Sequence, residues 1–494
     1  IRSRAIRCLS TEVWPWSNPH LPCRVNKTIT GQDLDAHIGH LRRQFPHNLA
    51  GRHVVVCVAP GPWHVASRWA IWRSGGAIVP VHDKCPEHQL LQIIKQSRAS
   101  CAIVDQAKSS LCQAIAGQIP VIYSDFNGNS AHPDEYPTVA ITDDTIAQIL
   151  FTSGTTGAPK AVCLSHGNIQ AQVRSLTEAW QLSAHDHILH CLPLHHIHGT
   201  INALECPLWN GASVTFVPKF DANLVWDHFL TDKTINVFMG VPTMYSMLID
   251  AYDRMNSAEQ ERCRSACRRF RLMISGSAAL HVSILQRWAS ISGYILLERY
   301  GMTETGMILS NPYVGERRPG YVGRALPGVE VKLINQGNYG DEESGEICVR
   351  GPGVFSCYLD DPIATSAAFD SDGFFKTGDI GCRDGSDYRI LGRASTDILK
   401  TAGYKVSCLD IENEILSCQG VKECSVVGLE HIVFGDVIAA VVVGDITVPF
   451  LKEWLRTRLP PYKLPRRIRV VDTIPKNAMG KTDKKAVKLL IGSK

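Results

Sequence analysis

Ile149-Leu-Phe-Thr-Ser-Gly-Thr-Thr-Gly-Ala-Pro-Lys160 opens as an apolar run and breaks into small and hydroxylated residues closed by a lysine. Residues 146 to 151 suit a short buried strand. The next seven, Thr152 to Ala158, hold two glycines, three threonines and a serine. Such a composition builds no core and leaves backbone N–H groups and hydroxyls to face an anion. Lys160 adds a mobile point charge, so the loop is read as a phosphate cradle. It is not the P-loop of the common nucleotide hydrolases: Gly154 and Gly157 are three apart, the lysine follows Pro159, and the G-x-x-x-x-G-K-[ST] spacing is absent. The alternative, a surface turn, accounts poorly for so dense a cluster directly after a strand.

Upstream of the loop, strand and helix patterns alternate. Helical spacing runs from Thr28 to Phe45 with Thr30 as N-cap, Val54 to Val58 is strand-like, and His64 to Arg73 is helical. Strands at Gly76 to Val81 and Cys101 to Asp105 flank a helix at Glu87 to Ser97. Downstream come a helix from Ser165 to Leu182, then strands at Asp186 to Leu192, Ser213 to Val217, Asn236 to Gly240 and Leu272 to Ala279. A helix from Pro242 to Met255 lies among them. This alternation implies βαβ units and parallel sheets covered on both faces. Tyr294 to Glu304 is a further strand ending in glycine, hydroxyl and carboxylate, and ligands bind at the C-terminal edge of such sheets. Beyond Pro319 short alternating strands joined by Gly/Asp turns suit a small β-barrel-like subdomain. The last hundred or so residues return to strand and helix as a small, mobile α+β lid. The expected class is thus α/β: a large N-terminal domain over 13–393 and a C-terminal domain over 394–494.

Composition bounds the function classes. Hydrophobic residues make up 45% and charged residues 20% of the 494, as in ordinary globular proteins. The net charge of +4 is too slight to argue for nucleic acid, and no run of eighteen apolar residues suggests a membrane span. The 17 cysteines are scattered and never spaced C-x-x-C, which favours buried thiols in a reducing compartment over a disulfide framework or zinc site. Pro193-Leu-His-His-Ile-His-Gly199 invites a metal reading, but adjacent histidines do not readily share one ion and no carboxylate sits among them. Packing or lining a substrate suits them better. Residues 1–12 carry Arg2, Arg4 and Arg7 with no acid before Glu12, like the end of a mitochondrial presequence. A mitochondrial matrix location is therefore expected, with the cytoplasm as the alternative.

With these stretches in place, the chain resembles the adenylate-forming acyl-CoA synthetases from about residue 30 onward. The resemblance rests on the loop Thr152 to Lys160, Tyr300-Gly-Met-Thr-Glu304, Lys376-Thr-Gly-Asp379, Gly392-Arg393 through Lys400-Thr-Ala-Gly-Tyr-Lys405, and Pro475-Lys-Asn-Ala-Met-Gly-Lys481. One such motif is weak; five in order are specific. The resemblance implies a carboxylate attacking the α-phosphorus of ATP, then CoA thiolate displacing AMP, chemistry governed by positioning and electrostatics. It assigns the β- and γ-phosphates to Thr152, Ser153, Gly154, Thr155, Thr156 and Gly157, with Lys160 closing the loop. Thr303 and Glu304 would hold the α-phosphate and Mg²⁺, Asp379 the ribose hydroxyls with Arg393 beside it, and Gly276, Ser277 and Tyr300 the adenine. Lys481 would bridge carboxylate and α-phosphate, and Gly403 and Tyr404 would contact CoA once the lid turns about a hinge at Ser395 to Asp397.

The resemblance is strongest to the malonyl-CoA synthetases, through Ser275-Gly-Ser-Ala-Ala-Leu280, Glu298-Arg-Tyr-Gly-Met-Thr-Glu304 and the histidine stretch. Arg299 would then meet the second carboxylate of malonate or methylmalonate, with His196 and His198 lining the pocket. The alternative for Arg299 is pairing with Glu298 or facing solvent. Two departures stand out: Met247 occupies a helix where that group tends to carry a basic residue, and Ala161 follows Lys160 where most members have glycine. Rival readings are a monocarboxylate–CoA ligase, a carrier-loading or oxygenase relative, and an inert nucleotide-binding paralogue. No carrier domain is evident, and Lys160, Glu304, Asp379, Arg393 and Lys481 are all present, which disfavours an inert paralogue.

Overall fold

The computed structural model describes residues 24–26, 29–46, 48–82, 85–105, 114–124, 139–152, 159–339, 342–401, 404–431, 435–476 and 482–492. The chain divides into two compact units. One comprises Ile1–Met239, Met302–Gly306 and Pro352–Ser366; the other comprises Gly240–Gly301, Met307–Gly351 and Ala367–Lys494.

The first unit holds a seven-stranded sheet in the order Cys357–Tyr358, Lys160–Ser165, Ile146–Thr152, Ala77–Pro80, His53–Cys57, Ala99–Val104, Val121–Tyr123. From Ile146–Thr152 onward the pairings are parallel. The interior strand His53–Cys57 reads His-Val-Val-Val-Cys without alternation, as a strand covered on both faces must. The first two strands in this order depart from the all-parallel expectation: Lys160–Ser165 turns back antiparallel on Ile146–Thr152, and Cys357–Tyr358 adds antiparallel to it. The phosphate-loop sequence thus joins the two arms of a hairpin, with Thr152 and Lys160 as cross-strand partners. A helix follows at once over His166–Trp180, started by a capping box in which Ser165 Oγ accepts from the Asn168 N–H at 3.1 Å. The helix Gly31–Gln44 begins the same way at Thr30, as its sequence suggests. Strands Ser213–Phe216 and His187–His190 form a second, parallel group in this unit, joined by Val237 and Phe238 of the strand Val237–Gly240.

In the second unit, Leu272–Ser275 runs parallel to Leu297–Met302, with Ser275 opposite Glu298. The barrel-like part is a four-stranded antiparallel sheet of Glu330–Tyr339, Glu342–Arg350, Phe375–Asp384 and Asp387–Arg393. The C-terminal α+β part centres on Gly435–Gly444, paired antiparallel with Val421–His431 and parallel with Arg467–Val470. Its alternate residues feed two cores. Ile438, Ala440 and Val442 pack with Ile411, Ile415, Leu451 and Leu455, whereas Ala439 and Val441 pack with Val487 and Ile491. A period-2 strand sandwiched between helices requires that division. Ser395, Thr396 and Asp397 lie in the turn between Asp387–Arg393 and Ile398–Thr401.

Candidate functional site

Two clusters of predicted site residues form, one in each unit. In the second unit, Asp379 and Arg393 face each other as cross-strand partners. Arg393 Nε lies 2.8 Å from Asp379 Oδ1, and the Tyr300 hydroxyl donates to Oδ2 at 2.6 Å. The Thr377 hydroxyl accepts from the Asp379 N–H at 3.1 Å and donates to the Ile347 carbonyl at 2.7 Å. Gly378 takes a left-handed φ of +74° between them, and the Arg393 Nη1 lies 2.9 Å from where a Cβ would stand. Burial raises the Asp379 carboxyl above its ordinary range against the opposing pull of Arg393 and Tyr300. The Tyr300 phenol is likewise pushed well up, first by burial and then by Asp379.

Arg299 immediately precedes Tyr300 on the strand Leu297–Met302. It is 3% exposed, so the solvent-facing alternative fails. Pairing with Glu298 fails too: successive residues of a strand point to opposite faces, and no carboxylate lies against the guanidinium among the described residues. Its Nη2 donates to Ser277 Oγ at 3.2 Å, and its Nε is buried with no hydrogen-bond partner. Burial lowers Arg299 to about 9, which still leaves it charged at neutral pH. Gly276 is tightly covered: a Cβ there would meet the Arg299 Cζ at 2.5 Å. Ser277 holds a left-handed φ of 70°, a strained conformation for a serine. Gly276 and Ser277 therefore serve the Arg299 side chain directly. Met247 is 49% exposed on the helix Pro242–Asp253.

In the first unit, Thr303 and Glu304 sit in the tight turn after Leu297–Met302. Glu304 is 7% exposed, and its Oε1 accepts from the Tyr358 hydroxyl at 3.1 Å. The Tyr358 ring also carries the Lys160 ammonium 4.5 Å from its centroid. Tyr358 is absent from the sequence-level set, yet it bridges two members of it. Asn168 holds its segment in place, donating to the carbonyls of Pro352 and Val354 at 2.9 and 2.8 Å. Thr152 Oγ1 donates to the Lys160 carbonyl at 3.4 Å. Tyr300-Gly-Met-Thr-Glu304 carries the chain from one unit into the other.

The histidines pack among themselves. His195 lies tilted against His196 and meets His82 edge-on, at 4.1 and 4.8 Å between centroids. Burial, then its histidine neighbours, push His195 down to about 2, so it is neutral. His198 is buried at the start of a π-helix, His198–Glu205, which ends on a fully buried pair, Arg68 Nε to Glu205 Oε2 at 3.3 Å. Neither the π-helix nor this pair was legible in the sequence. Tyr404 is half-exposed and stacks on Tyr462 at 4.3 Å. Ser153, Gly154, Thr155, Thr156, Gly157, Gly403, Lys481 and the presequence-like residues 1–12 lie outside the described residues.

Each unit thus carries a buried carboxylate among the expected site residues: Asp379 with Tyr300 and Arg393 in one, Glu304 with Tyr358 in the other. The AMP-binding enzyme model matches residues 12–359, and the AMP-binding enzyme C-terminal domain model matches residues 410–481. The chain belongs to the AMP-binding enzyme family. Its members are adenylate-forming enzymes, and this one is an AMP-forming acid–thiol ligase. It is 42% identical over 458 residues to the mitochondrial malonate–CoA ligase ACSF3 of Mus musculus, covering 85% of this chain and 79% of the relative. It also resembles the ATP-bound crystal structure of MatB from Rhodopseudomonas palustris, at 33% identity, a TM-score of 0.84 and 94% of both chains covered. A malonyl-CoA ligase ternary complex with methylmalonyl-CoA and AMP aligns at 32% identity and a TM-score of 0.69, covering 94% of this chain and all of that one.

Proposed function

We propose that this ligase activates a small dicarboxylic acid, malonate or methylmalonate, to its CoA thioester. One carboxylate oxygen attacks the α-phosphorus of ATP and pyrophosphate leaves; the CoA thiolate then attacks the acyl carbon and AMP leaves. Arg299 carries the substrate reading. A buried guanidinium without a carboxylate partner is costly unless a ligand supplies one. The carboxylate that is not adenylated supplies it, through a charge-assisted pair. The substrates of the mouse ligase and of the ternary complex favour the same class. His196 and His198 complete the acyl side in this reading.

Asp379 is assigned the ribose hydroxyls, oriented by Arg393 and Tyr300, with Gly276 and Ser277 at the adenine as well as behind Arg299. Thr152, Ser153, Gly154, Thr155, Thr156 and Gly157 are assigned the β- and γ-phosphates, with Lys160 above them and Thr303 at the α-phosphate. Glu304 suits Mg²⁺: a single buried hard oxygen donor, joined by phosphate oxygens and water, is the set this ion favours. Bound there, the ion would neutralise charge on the phosphates. Lys481 is assigned the bridge between carboxylate and α-phosphate. Residues 394–494 would form the lid over an N-terminal domain of 13–393, turning at Ser395 to Asp397 and bringing Gly403 and Tyr404 to CoA. The arginine-rich, acid-poor start and the mitochondrial relative support a matrix location, which fractionation of cells expressing the full-length protein tests.

The test of substrate is ATP–pyrophosphate exchange with malonate, methylmalonate, acetate and octanoate, on the wild type and Arg299→Ala. Malonate or methylmalonate should support the fastest exchange, and the variant should raise their KM far more than that for acetate. Preference for octanoate or acetate, or equal effects on all four acids, would exclude the distal-carboxylate role.

A further inference from the structure

Beside the Lys160, Tyr358 and Glu304 cluster, two cysteines face each other. Cys357 is the direct antiparallel partner of Cys163. Such partners stand about 4.5–5.5 Å apart at Cα, within the roughly 4.4–6.8 Å that a disulfide spans. Side chains of directly opposed residues share one face of the sheet. Accordingly both thiols join one apolar cluster with Val79 and Ile149. Burial first, then the facing Cys357 thiol and Asp360, hold Cys163 well above the ordinary thiol range. Cys163 is 1% exposed, while Cys357 is only half-buried. Cys357 is thus the more accessible of the two residues, and Cys163 the one fully inside the cluster.

We propose that Cys163 and Cys357 form a reversible thiol–disulfide pair that a peroxide closes, slowing adenylation. The Cys357 thiolate attacks one oxygen of hydrogen peroxide; the S–O bond forms, the O–O bond breaks, and the departing hydroxide takes up a proton as water. The Cys163 sulfur, losing its proton, then attacks the sulfenic sulfur of Cys357. The S–S bond forms, the S–O bond breaks, and hydroxide leaves with that proton as a second water. Two thiols and one peroxide give one disulfide and two waters, and a dithiol reverses the closure by exchange.

The cross-link would act on the groups next to it. Tyr358 follows Cys357 directly and joins Lys160 to Glu304. Lys160 begins the strand that holds Cys163. Tying the two strands together limits how Tyr358 and Lys160 move as ATP enters and pyrophosphate leaves. Formation of the disulfide is independent of the reaction proposed above; the effect on rate rests on that reading.

The test treats the full-length protein with hydrogen peroxide, blocks remaining thiols by alkylation, and maps peptides by mass spectrometry alongside ATP–pyrophosphate exchange with malonate. A linked peptide pair carrying Cys163 and Cys357 should appear as exchange falls several-fold, and dithiothreitol should reverse both. Cys357→Ser should form no such pair and keep its exchange under peroxide, with Cys357→Ala as the second variant if serine perturbs the half-buried site. Recovery of both cysteines in alkylated form would overturn the proposal. So would a linked pair with unchanged exchange, or equal inactivation of the variants. Should the untreated enzyme show no exchange, the substrate reading fails, and peptide mapping alone decides whether the pair closes.

Discussion

Asp379 is gripped from two sides, by Arg393 Nε at 2.8 Å and by the Tyr300 hydroxyl at 2.6 Å, so residues from two other motifs orient one buried carboxylate. Asn at this position keeps the shape and removes the charge. Each charge-assisted hydrogen bond contributes roughly 1.5–3 kcal/mol. Asp379→Asn should therefore raise the KM for ATP by about 10²-fold while the KM for the acid changes little. Exchange kinetics at varied ATP measure this; an unaltered ATP dependence would remove Asp379 from the nucleotide site.

Tyr358 offers a split experiment, because its hydroxyl and its ring have different partners. Tyr358→Phe removes the bond to Glu304 and keeps the face beneath Lys160; Tyr358→Ala removes both. A cation over an aromatic ring contributes about 0.5–1 kcal/mol at exposed sites. The alanine variant should consequently raise the KM for ATP several-fold beyond the phenylalanine variant. Identical kinetics for the two would mean that the ring contact is idle.

The sequence made the parallel sheet legible because a strand buried on both faces is apolar throughout, as at His53–Cys57, and because Thr30 and Ser165 sit where N-caps belong. Asp379 and Arg393 were legible as motif residues, but not as neighbours. Lys376-Thr-Gly-Asp379 reads as a polar loop, yet it lies in the strand Phe375–Asp384, where alternate burial turns Thr377 inward. The hairpin arm Lys160–Ser165 was hidden because the glycine- and threonine-rich turn masks a strand that starts on a charge. Tyr358 lies 54 residues from its partner Glu304 and belongs to none of the motifs. Its only local signal is the half-apolar pair Cys357–Tyr358, too short for any period to register. The π-helix at His198–Glu205 was obscured by Pro193, Gly199 and Pro207, which read as turn signals.

Lys481 and Lys484 lie three residues apart and should behave differently. Lys484 Nζ is held by Asp397 at 2.8 Å and Glu412 at 3.0 Å, so its charge is already engaged within its own unit. Lys481→Ala should depress adenylate formation by about 10²- to 10³-fold, the usual effect of losing a donor at a developing charge, and leave thioester formation from supplied adenylate largely intact. Lys484→Ala should instead lower the melting temperature. Normal pyrophosphate release by Lys481→Ala would assign the bridging role elsewhere.

Glu298 should make the protein's stability fall as pH rises. Its carboxyl is buried and pushed up to about 8, mainly by desolvation, although the Leu280 N–H donates to Oε1 at 3.4 Å. The unfolded chain titrates this group near the ordinary value of 4.5. Between about 4.5 and 8 the folded state therefore holds the proton that the unfolded state has released, and stability declines with pH across that window. Below it both states are protonated and the penalty disappears. Glu298→Gln replaces the carboxyl with a neutral group of the same shape and removes the titration. The variant should melt higher than the wild type at pH 8.5 and close to it at pH 5, other ionisable groups cancelling in the difference. Thermal melts of both proteins at the two pH values decide it, and a constant offset between them would mean that the Glu298 proton is not retained on folding.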